Sequence, residues 1–188
     1  GVATRFEEGF AIGYFHGFET DGIFQSQAEI DNAAVVQEGA KPGDLRYVDQ
    51  NGDGVISFND DSDRKEIGSA IPDFTFGLNL TAEFKSFDFS MNIFSAVGQE
   101  IIRNYERQQP YANQLDYVID RWVGTGTSSD NPRLTTEANR NGEFSDYYVE
   151  SGAFMRIKNI QIGYTLPENL SKKIKSNSIR FYVSVNNL

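Results

Sequence analysis

The sequence contains no cysteine, and it has a single histidine among its 188 residues. Without cysteine the chain can form neither a disulfide framework nor a thiolate metal site, and it has no thiol nucleophile. It also has no run of about 18 or more apolar residues, which excludes a transmembrane helix. This absence does not exclude a membrane β-barrel, because barrel strands alternate apolar and polar residues and average to an ordinary hydropathy.

Positive charge is scarce as well. The chain has 17 Lys and Arg against 27 Asp and Glu, so its formal net charge is −10. This charge argues against a nucleic acid or an anionic membrane surface as a partner, because neither polyanion would be attracted, and it favours a cation site. The aromatic residues are mostly Phe (15) and Tyr (9), with one Trp, a bias that is typical of β-rich chains.

Residues 49–60, DQNGDGVISFND, have the spacing of a calcium-binding loop. Oxygen donors occupy loop positions 1, 3, 5 and 12, a backbone carbonyl serves at position 7, and Gly54 stands at position 6, where the chain must turn sharply. The ligands that we predict for Ca²⁺ are Asp49, Asn51, Asp53, Val55 and Asp60. Because Ca²⁺ prefers about six to eight oxygen ligands, Ser57 can contribute directly or through water.

Two features separate this loop from an EF-hand. Position 12 is Asp60, which is shorter than the usual bidentate Glu, and residues 45–48 before the loop are β-like, with Pro42-Gly43 upstream, so no helix enters it. The acidic run at 60–63 can supply a further ligand or form a solvated turn. The alternative to a metal site is an ordinary Asp/Asn/Gly turn.

Alternation of apolar and polar residues predicts antiparallel strands. A hairpin is predicted from Asp73, with two arms of about ten residues joined by a tight turn at Lys85-Ser86. Further strands are predicted at about 153–165 and from residue 178, and a weaker one at 10–15, where glycines interrupt the pattern. The hairpin arms approach the length of a bilayer-spanning strand, and their second face is polar but mostly small and uncharged.

The connections between these strands alternate in length. Long segments lie at about 18–72 and 98–152, and short ones at 85–86 and 167–177. Loops this long argue against a compact soluble domain, whereas short turns on one side and long loops on the other are typical of an outer-membrane barrel. The alternative is a soluble β-sandwich whose core is formed by the apolar stripes, and periodicity alone does not separate the two.

Several short blocks along the chain carry a family resemblance. They are 12–18 (IGYFHGF), 21–26 (DGIFQS), 42–49 (PGDLRYVD), the loop at 49–60, 67–68 (IG), 71–74 (IPDF), 155–164 (MRIKNIQIGY) and 185–188 (VNNL). Together and in this order they resemble the C-terminal part of the SusC/RagA family, which are TonB-linked outer-membrane transporters of Bacteroidetes. Residues 100–150 match weakly, with only Arg121-Trp122 and Asn131-Pro132 looking familiar.

The resemblance implies an all-β fold of antiparallel strands from a large transmembrane barrel of about 22 strands with a plugged lumen. Residues 1–188 would be a C-terminal portion of that barrel, with the plug domain and the final strands outside, and the strand-like run at 179–185 where the chain stops agrees with this. The family pairs with a SusD-like surface lipoprotein and imports oligosaccharides or peptides with energy from TonB. The apolar stripes would then face outer-membrane lipid, the long loops would be extracellular, and the protein would not be an enzyme.

The remaining candidates have plainer interpretations. His16 stands between Phe15 and Gly17 without an evident partner, so we expect a structural role rather than catalysis. Four aromatic residues of the second long segment can stack on sugars or contact a partner, but packing within the segment is the favoured expectation. They are Tyr105, Tyr111, Tyr117 and Trp122. The competing function is a secreted soluble β-domain that binds glycan through a calcium-organised loop.

Overall fold

The computed structural model describes residues 3–104 and 115–188, and strands dominate it. The strands are β1 (Thr4–Arg5), β2 (Tyr14–Phe18), β3 (Thr20–Ile23), β4 (Leu45–Tyr47), β5 (Arg64–Gly68), β6 (Phe74–Phe84), β7 (Phe87–Val97), β8 (Glu100–Ile102), β9 (Val149–Ser151), β10 (Phe154–Thr165) and β11 (Arg180–Asn186). The described residues also form the short helices α1 (Gln27–Asp31) and α2 (Glu168–Lys173), and 3-10 turns at Asp116–Asp120 and Asp146–Tyr148. No helix in this described part is both long and apolar enough to cross a membrane.

The chain divides into two compact units. The first comprises Gly1–Ile71 and Glu100–Ser151, and the second comprises Pro72–Gln99 and Gly152–Leu188. The two long segments predicted from the sequence, at about 18–72 and 98–152, supply most of the first unit and contain its short strands β3, β4, β5, β8 and β9. The second unit contains the four long strands.

The second unit is one antiparallel sheet with the strand order β11-β10-β7-β6. β6 and β7 form the predicted hairpin and pair along their full lengths. The turn is Lys85-Ser86, and Lys85 has a φ of 56°, the left-handed conformation that two-residue hairpin turns require. The hairpin and the predicted strands at 153–165 and from 178 are therefore confirmed, although the last one begins two residues later, at Arg180.

One face of this sheet is apolar and remains exposed. On the central strand β10, Ile162 pairs with Phe89 of β7 and with Val183 of β11, yet Ile162 is 54% exposed. Other members of this apolar face are between 55% and 73% exposed, namely Phe74, Phe84, Phe87, Phe181 and Val183. Within the second unit, no other sheet of described residues covers these side chains.

The opposite face of the sheet carries amides and hydroxyls. Four asparagines, one from each strand, lie in a row across it: Asn79 opposite Asn92, Asn92 opposite Asn159, and Asn159 opposite Asn186. The Nδ2 of Asn159 donates to the Oδ1 of Asn186 at 2.8 Å. The next row towards the Lys85-Ser86 turn is also uncharged and consists of Thr81, Ser90, Gln161 and Ser184. The alternation of the sequence therefore separates an apolar face from a polar face whose two middle rows carry no charge.

An ion pair crosses this polar face over the central strand. Arg180 of β11 donates to Asp88 of β7, with Nε–Oδ2 at 3.0 Å and Nη2–Oδ1 at 2.5 Å. Gly163 of β10 lies between them, and a Cβ added there would come within 2.6 Å of the Arg180 Nη2. The absence of a side chain at Gly163 thus lets β11 and β7, the two neighbours of β10, interact directly.

The first unit has small sheets around a small core. Its sheets have the orders β1-β2-β5, β3-β4 and β8-β9. Five side chains, each at most 4% exposed, form the core cluster: Phe18, Ile23, Leu45, Tyr47 and Ile56. The first four come from β2, β3 and β4, and the fifth comes from the calcium-like loop. That loop is therefore built into the core of the unit.

The strand predicted at residues 10–15 is wrong in position, because β2 spans Tyr14–Phe18. The preceding residues turn, with the Tyr14 N–H donating to the Ala11 carbonyl at 3.2 Å. Gly9 and Gly13 have φ angles of 94° and 69°, a left-handed conformation that interrupts an extended strand. The glycines in this stretch mark turns rather than a weak strand.

Candidate functional site

The calcium-like loop at residues 49–60 links β4 to β5, so a strand rather than a helix leads into it, as the sequence predicts; the strand that follows was not predicted. Ile56, at loop position 8, is 3% exposed and packs in the core. The Ile56 N–H donates to the Val36 carbonyl at 2.9 Å, and the Val36 N–H donates to the Gly54 carbonyl at 2.8 Å. These contacts fix the middle of the loop to the unit, while its first half stays largely exposed.

The first half of the loop is organised by its own side chains. The Asp49 carboxylate accepts the N–H groups of Gly52 and Gly54 at 2.7 and 2.8 Å. Asn51 and Asp53 each accept, through Oδ1, the N–H two residues further on, at 2.8 and 2.9 Å. The N–H of Gly54 is the main cause that lowers the pKa of Asp49. Three predicted ligands therefore hold the loop in a series of tight turns.

Two further carboxylates close the loop at its other end. Asp60, the predicted position-12 ligand, accepts the Ser62 hydroxyl at 2.6 Å, and this contact lowers the pKa of Asp60. Asp63 is fully buried and accepts the N–H groups of Gln50 and Ser57 at 3.1 and 2.6 Å. Asp63 therefore joins the beginning of the loop to its end. Spacing did not single out Asp63, because it lies three residues beyond loop position 12.

The loop offers oxygen atoms, which are the type of ligand that a hard divalent cation binds. Within residues 3–104 and 115–188, no three acidic or imidazole side chains converge as a metal-ligand cluster. The predicted set is instead mixed, with carboxylates, the Asn51 amide oxygen and the Val55 carbonyl. Ca²⁺ accepts such mixtures of carboxylate, amide and main-chain oxygens. The calcium site stays a prediction.

A buried glutamine supports the strand that leads into the loop. Gln37 is 8% exposed; its Nε2 donates to the Leu45 carbonyl at 2.8 Å, and its Oε1 accepts the Tyr47 N–H at 3.0 Å. The side-chain amide thus takes the place of a neighbouring strand at one edge of β4. Because unpaired buried backbone groups are costly, this residue stabilises the approach to the loop.

Asp44 joins the two long segments of the first unit. It is 2% exposed and accepts hydrogen bonds from Arg133 Nε at 2.7 Å and Asn141 Nδ2 at 3.1 Å. The Asn141 Oδ1 in turn accepts the Leu45 N–H at 2.9 Å. The hydrogen bond to Asp44 raises the pKa of Arg133. Removing one partner of a buried pair costs about 3–5 kcal/mol, so this network fixes the segments to each other.

Trp122 packs on the main chain at Gly43, which has a φ of 90°. A Cβ added to Gly43 would lie 2.8 Å from both the Trp122 Cδ2 and the Arg133 Cβ. The indole Nε1 donates to the Gln25 Oε1 at 3.1 Å. Trp122 is therefore used within the fold, as the favoured interpretation of the loop aromatics expects, and not as a free platform for sugars.

Of the other three aromatic residues named in the second long segment, only Tyr117 lies within the described residues. The Tyr117 ring lies 5.2 Å from the Arg103 guanidinium carbon, a cation–π distance. Tyr105 and Tyr111 lie outside the described residues. Tyr117 thus also interacts within the unit.

His16 has an environment that suits a structural role. Its Nε2 lies 2.9 Å from Arg5 Nη1, and because arginine can only donate, the imidazole accepts this hydrogen bond. Burial is the main cause that lowers the pKa of His16. An imidazole nitrogen that already accepts from a guanidinium is poorly placed to act as a general base.

Known proteins similar to this chain are TonB-dependent receptors. A search of protein-family models found no match. The chain is 36% identical over 184 residues to TonB-dependent receptor P3 of Formosa agariphila, and 32% identical over 169 residues to receptor P26 of the same organism. It is 26% identical over 158 residues to TonB-dependent receptor SusC of Bacteroides thetaiotaomicron. These alignments cover 96%, 87% and 81% of this chain, but only 18%, 17% and 15% of the relatives.

Solved structures agree in fold. The RagAB peptide importer in its open-open state matches with a TM-score of 0.72 and 22% identity, over 99% of this chain and 19% of that chain. The closed-closed state matches with a TM-score of 0.64 over 100% of this chain and 21% of that chain. The chain belongs to the SusC/RagA family of TonB-dependent receptors. It spans less than a fifth of the length of the three curated relatives named above.

The contact between Gly43 and Trp122 can be tested in the full-length SusC/RagA receptor by comparing Gly43→Ala with Gly39→Ala. Both glycines have a left-handed φ, at 90° and 76°, so alanine strains both backbones alike. Only at Gly43 does the new methyl group meet neighbours, since nothing lies within 4 Å at Gly39. We expect Gly43→Ala to destabilise the first unit by about 1–3 kcal/mol more than Gly39→Ala, the usual cost of overpacking.

Hydrogen–deuterium exchange measures this difference at the Arg133 amide, which donates to the Gly43 carbonyl at 2.8 Å. Exchange there should become faster in Gly43→Ala and stay near the unmodified rate in Gly39→Ala. Equal rates in the two variants would show that the indole does not pack tightly at this point.

Proposed function

We propose that this chain forms part of the wall of an outer-membrane β-barrel in a TonB-dependent importer of oligosaccharides or peptides. The observation that carries the proposal is the exposed apolar face of the second unit, with Phe84, Phe87 and Val183 at 71%, 55% and 73% exposure. A continuous apolar surface is unfavourable in water, whereas lipid tails cover it without cost. The same exposure disfavours the soluble glycan-binding domain.

Strand length supports the same assignment. β6 and β7 each have 11 residues, and β10 has 12. At about 3.3 Å per residue, tilted strands of this length cross the apolar layer of a membrane. The strands of the first unit have two to five residues and are too short to do so.

The polar face would line the interior of a barrel of about 22 strands around a plug. The row of four asparagines presents amide donors and acceptors without net charge, and Asn79, Asn92 and Asn186 are exposed. Such groups can exchange hydrogen bonds with sugar hydroxyls or with peptide amides, which is why both cargo classes remain in the proposal. The RagAB relative of this fold is named a peptide importer.

The first unit would be extracellular and would meet a SusD-like lipoprotein. Its two long segments are held together by buried contacts such as Asp44 to Arg133, so its surface is ordered before a partner arrives. Preorganisation lowers the entropy cost of binding. TonB would act through parts of the receptor outside residues 1–188.

Bound Ca²⁺ would make the first unit more rigid at the loop of residues 49–60. Asp49, Asn51, Asp53, Val55 and Asp60 would hold the ion, and the buried Asp63 would orient the loop through its two N–H contacts. The ion would neutralise carboxylates of the loop on a chain of net charge −10. Its role would be structural, without chemistry at the metal.

Lipid contact predicts opposite outcomes for two neighbouring substitutions in the full-length receptor. Ile162→Arg places a charge on the apolar face of β10, and Gln161→Arg places the same charge on the polar face of the same strand. Arginine facing lipid near the midplane costs about 2–4 kcal/mol. We expect Ile162→Arg to lower the amount of folded receptor in the outer membrane and growth on the imported nutrient, and Gln161→Arg to change neither strongly.

Folded receptor can be measured by its heat-modifiable migration in electrophoresis, and import by growth of the strain on oligosaccharide or peptide as the sole nutrient. Equal tolerance of both arginines would contradict lipid contact. Unchanged growth on both nutrient classes after deletion of the receptor gene would contradict import while leaving the barrel assignment intact.

The calcium proposal predicts heat of binding in calorimetry of the chelated full-length receptor. Asp49→Ala combined with Asp53→Ala should abolish that heat, because two of the predicted carboxylate ligands are lost. The matched control is Asp31→Ala with Glu38→Ala, which removes the same charge from exposed positions outside the loop. Unchanged binding in the Asp49/Asp53 variant, or equal loss in the control, would remove the calcium site.

A further inference from the structure

The chain contains two Asn-Gly pairs, Asn51-Gly52 and Asn141-Gly142, in different surroundings. In such a pair the glycine nitrogen can attack the asparagine side-chain carbonyl, because glycine has no side chain to hinder the approach. Asn51 and Gly52 are exposed, whereas Asn141 is 8% exposed. We infer that Asn51 is a site of spontaneous deamidation and that the loop at residues 49–60 promotes the reaction.

The reaction needs only water. The main-chain nitrogen of Gly52 forms a bond to Cγ of Asn51 and loses its proton, while the Cγ–Nδ2 bond breaks and releases ammonia. The product is a succinimide, and water opens this ring at either carbonyl to give aspartate or isoaspartate. In total the side-chain amide and one water become a carboxylate and an ammonium ion, without oxidation or reduction.

The loop places a suitable group at each changing atom. The Gly52 N–H, whose proton must leave, donates to Asp49 Oδ1 at 2.7 Å, so a carboxylate stands ready to accept that proton. The Asn51 Oδ1, which gains negative charge during the attack, accepts the Asp53 N–H at 2.8 Å, the arrangement of an oxyanion-stabilising donor. The leaving Nδ2 donates to Asp53 Oδ2 at 2.9 Å.

Asn141 has the same chemistry but is held in place. Its Oδ1 accepts the Leu45 N–H at 2.9 Å, and its Nδ2 donates to Asp44 Oδ1 at 3.1 Å. Both contacts are buried. Loss of the Asn141 amide would leave the buried Leu45 N–H and Asp44 carboxylate without these partners, whereas the corresponding contacts of Asn51 are exposed to water. Asn141 is therefore an internal control within the same molecule.

Deamidation would change the loop at the residue predicted as its position-3 ligand. Aspartate adds a negative charge between Asp49 and Asp53, and isoaspartate also inserts a methylene group into the main chain. The inference depends on the loop contacts alone, so it holds or fails independently of the import and calcium proposals.

The test is ageing of the purified full-length receptor in mildly alkaline buffer with a chelator, followed by peptide mass spectrometry and labelling with an isoaspartyl methyltransferase. We expect conversion at Asn51 and a rate at Asn141 that is lower by about tenfold or more, given the buried hydrogen bonds that Asn141 must break. Equal rates at the two sites, or no conversion at Asn51, would overturn the inference.

Two variants test the role of the loop itself. Asp49→Asn removes the carboxylate that receives the Gly52 proton, and we expect it to slow conversion at Asn51 by about tenfold or more while leaving Asn141 unchanged. Asp31→Asn makes the same change of charge at an exposed position outside the loop and should leave both rates unchanged. An unaltered rate at Asn51 in Asp49→Asn would show that the loop does not promote the reaction.

Discussion

The exposed apolar face of the four-stranded sheet is the constraint on which the rest of the structure depends. Strand pairing fixes Ile162 level with Phe89 and Val183, so these side chains form one surface and cannot turn inwards separately. Burying apolar surface stabilises a protein by about 25 cal/mol for each Å² that is removed from water. Most of this face is not removed from water within the second unit. In the proposed barrel a hydrocarbon layer would cover this face, and the neutral asparagine row would face the opposite side.

The first unit is stabilised in a different way. Its core cluster has five side chains, so buried polar contacts hold much of the structure. Gln37 replaces a strand beside β4, and Asp44 with Arg133 and Asn141 connects segments that are about 90 residues apart in sequence. Polar contacts of this kind require defined geometry, which gives the unit an ordered surface despite its short strands.

The sequence predicts the second unit better than the first. Apolar and polar residues alternate over about ten positions, and this pattern predicts the hairpin, its turn at Lys85-Ser86 and the strand at 153–165. The prediction succeeds because the alternation can be read from neighbouring residues alone. The strand assigned to 10–15 failed because the left-handed glycines Gly9 and Gly13 form turns there. Asp63 and Gln37 were not predicted as support for the loop, since their roles depend on contacts made only after folding. The prediction that Trp122 packs within the fold is confirmed, and its basis is that large aromatic side chains are usually buried.

Spin-label accessibility along β10 tests the central claim most directly. Residues 1–188 contain no cysteine, so after replacement of any cysteine elsewhere in the membrane-embedded full-length receptor, single cysteines can be introduced at residues 159–162 and 164 and labelled. Gly163 is left out because a side chain there would collide with the Arg180–Asp88 pair. Oxygen, which concentrates in lipid, should reach labels at Ile160, Ile162 and Tyr164, while a water-soluble nickel chelate should not. Labels at 159 and 161 should show the reverse preference. Free access of the nickel chelate to Ile160, Ile162 and Tyr164 would contradict lipid contact.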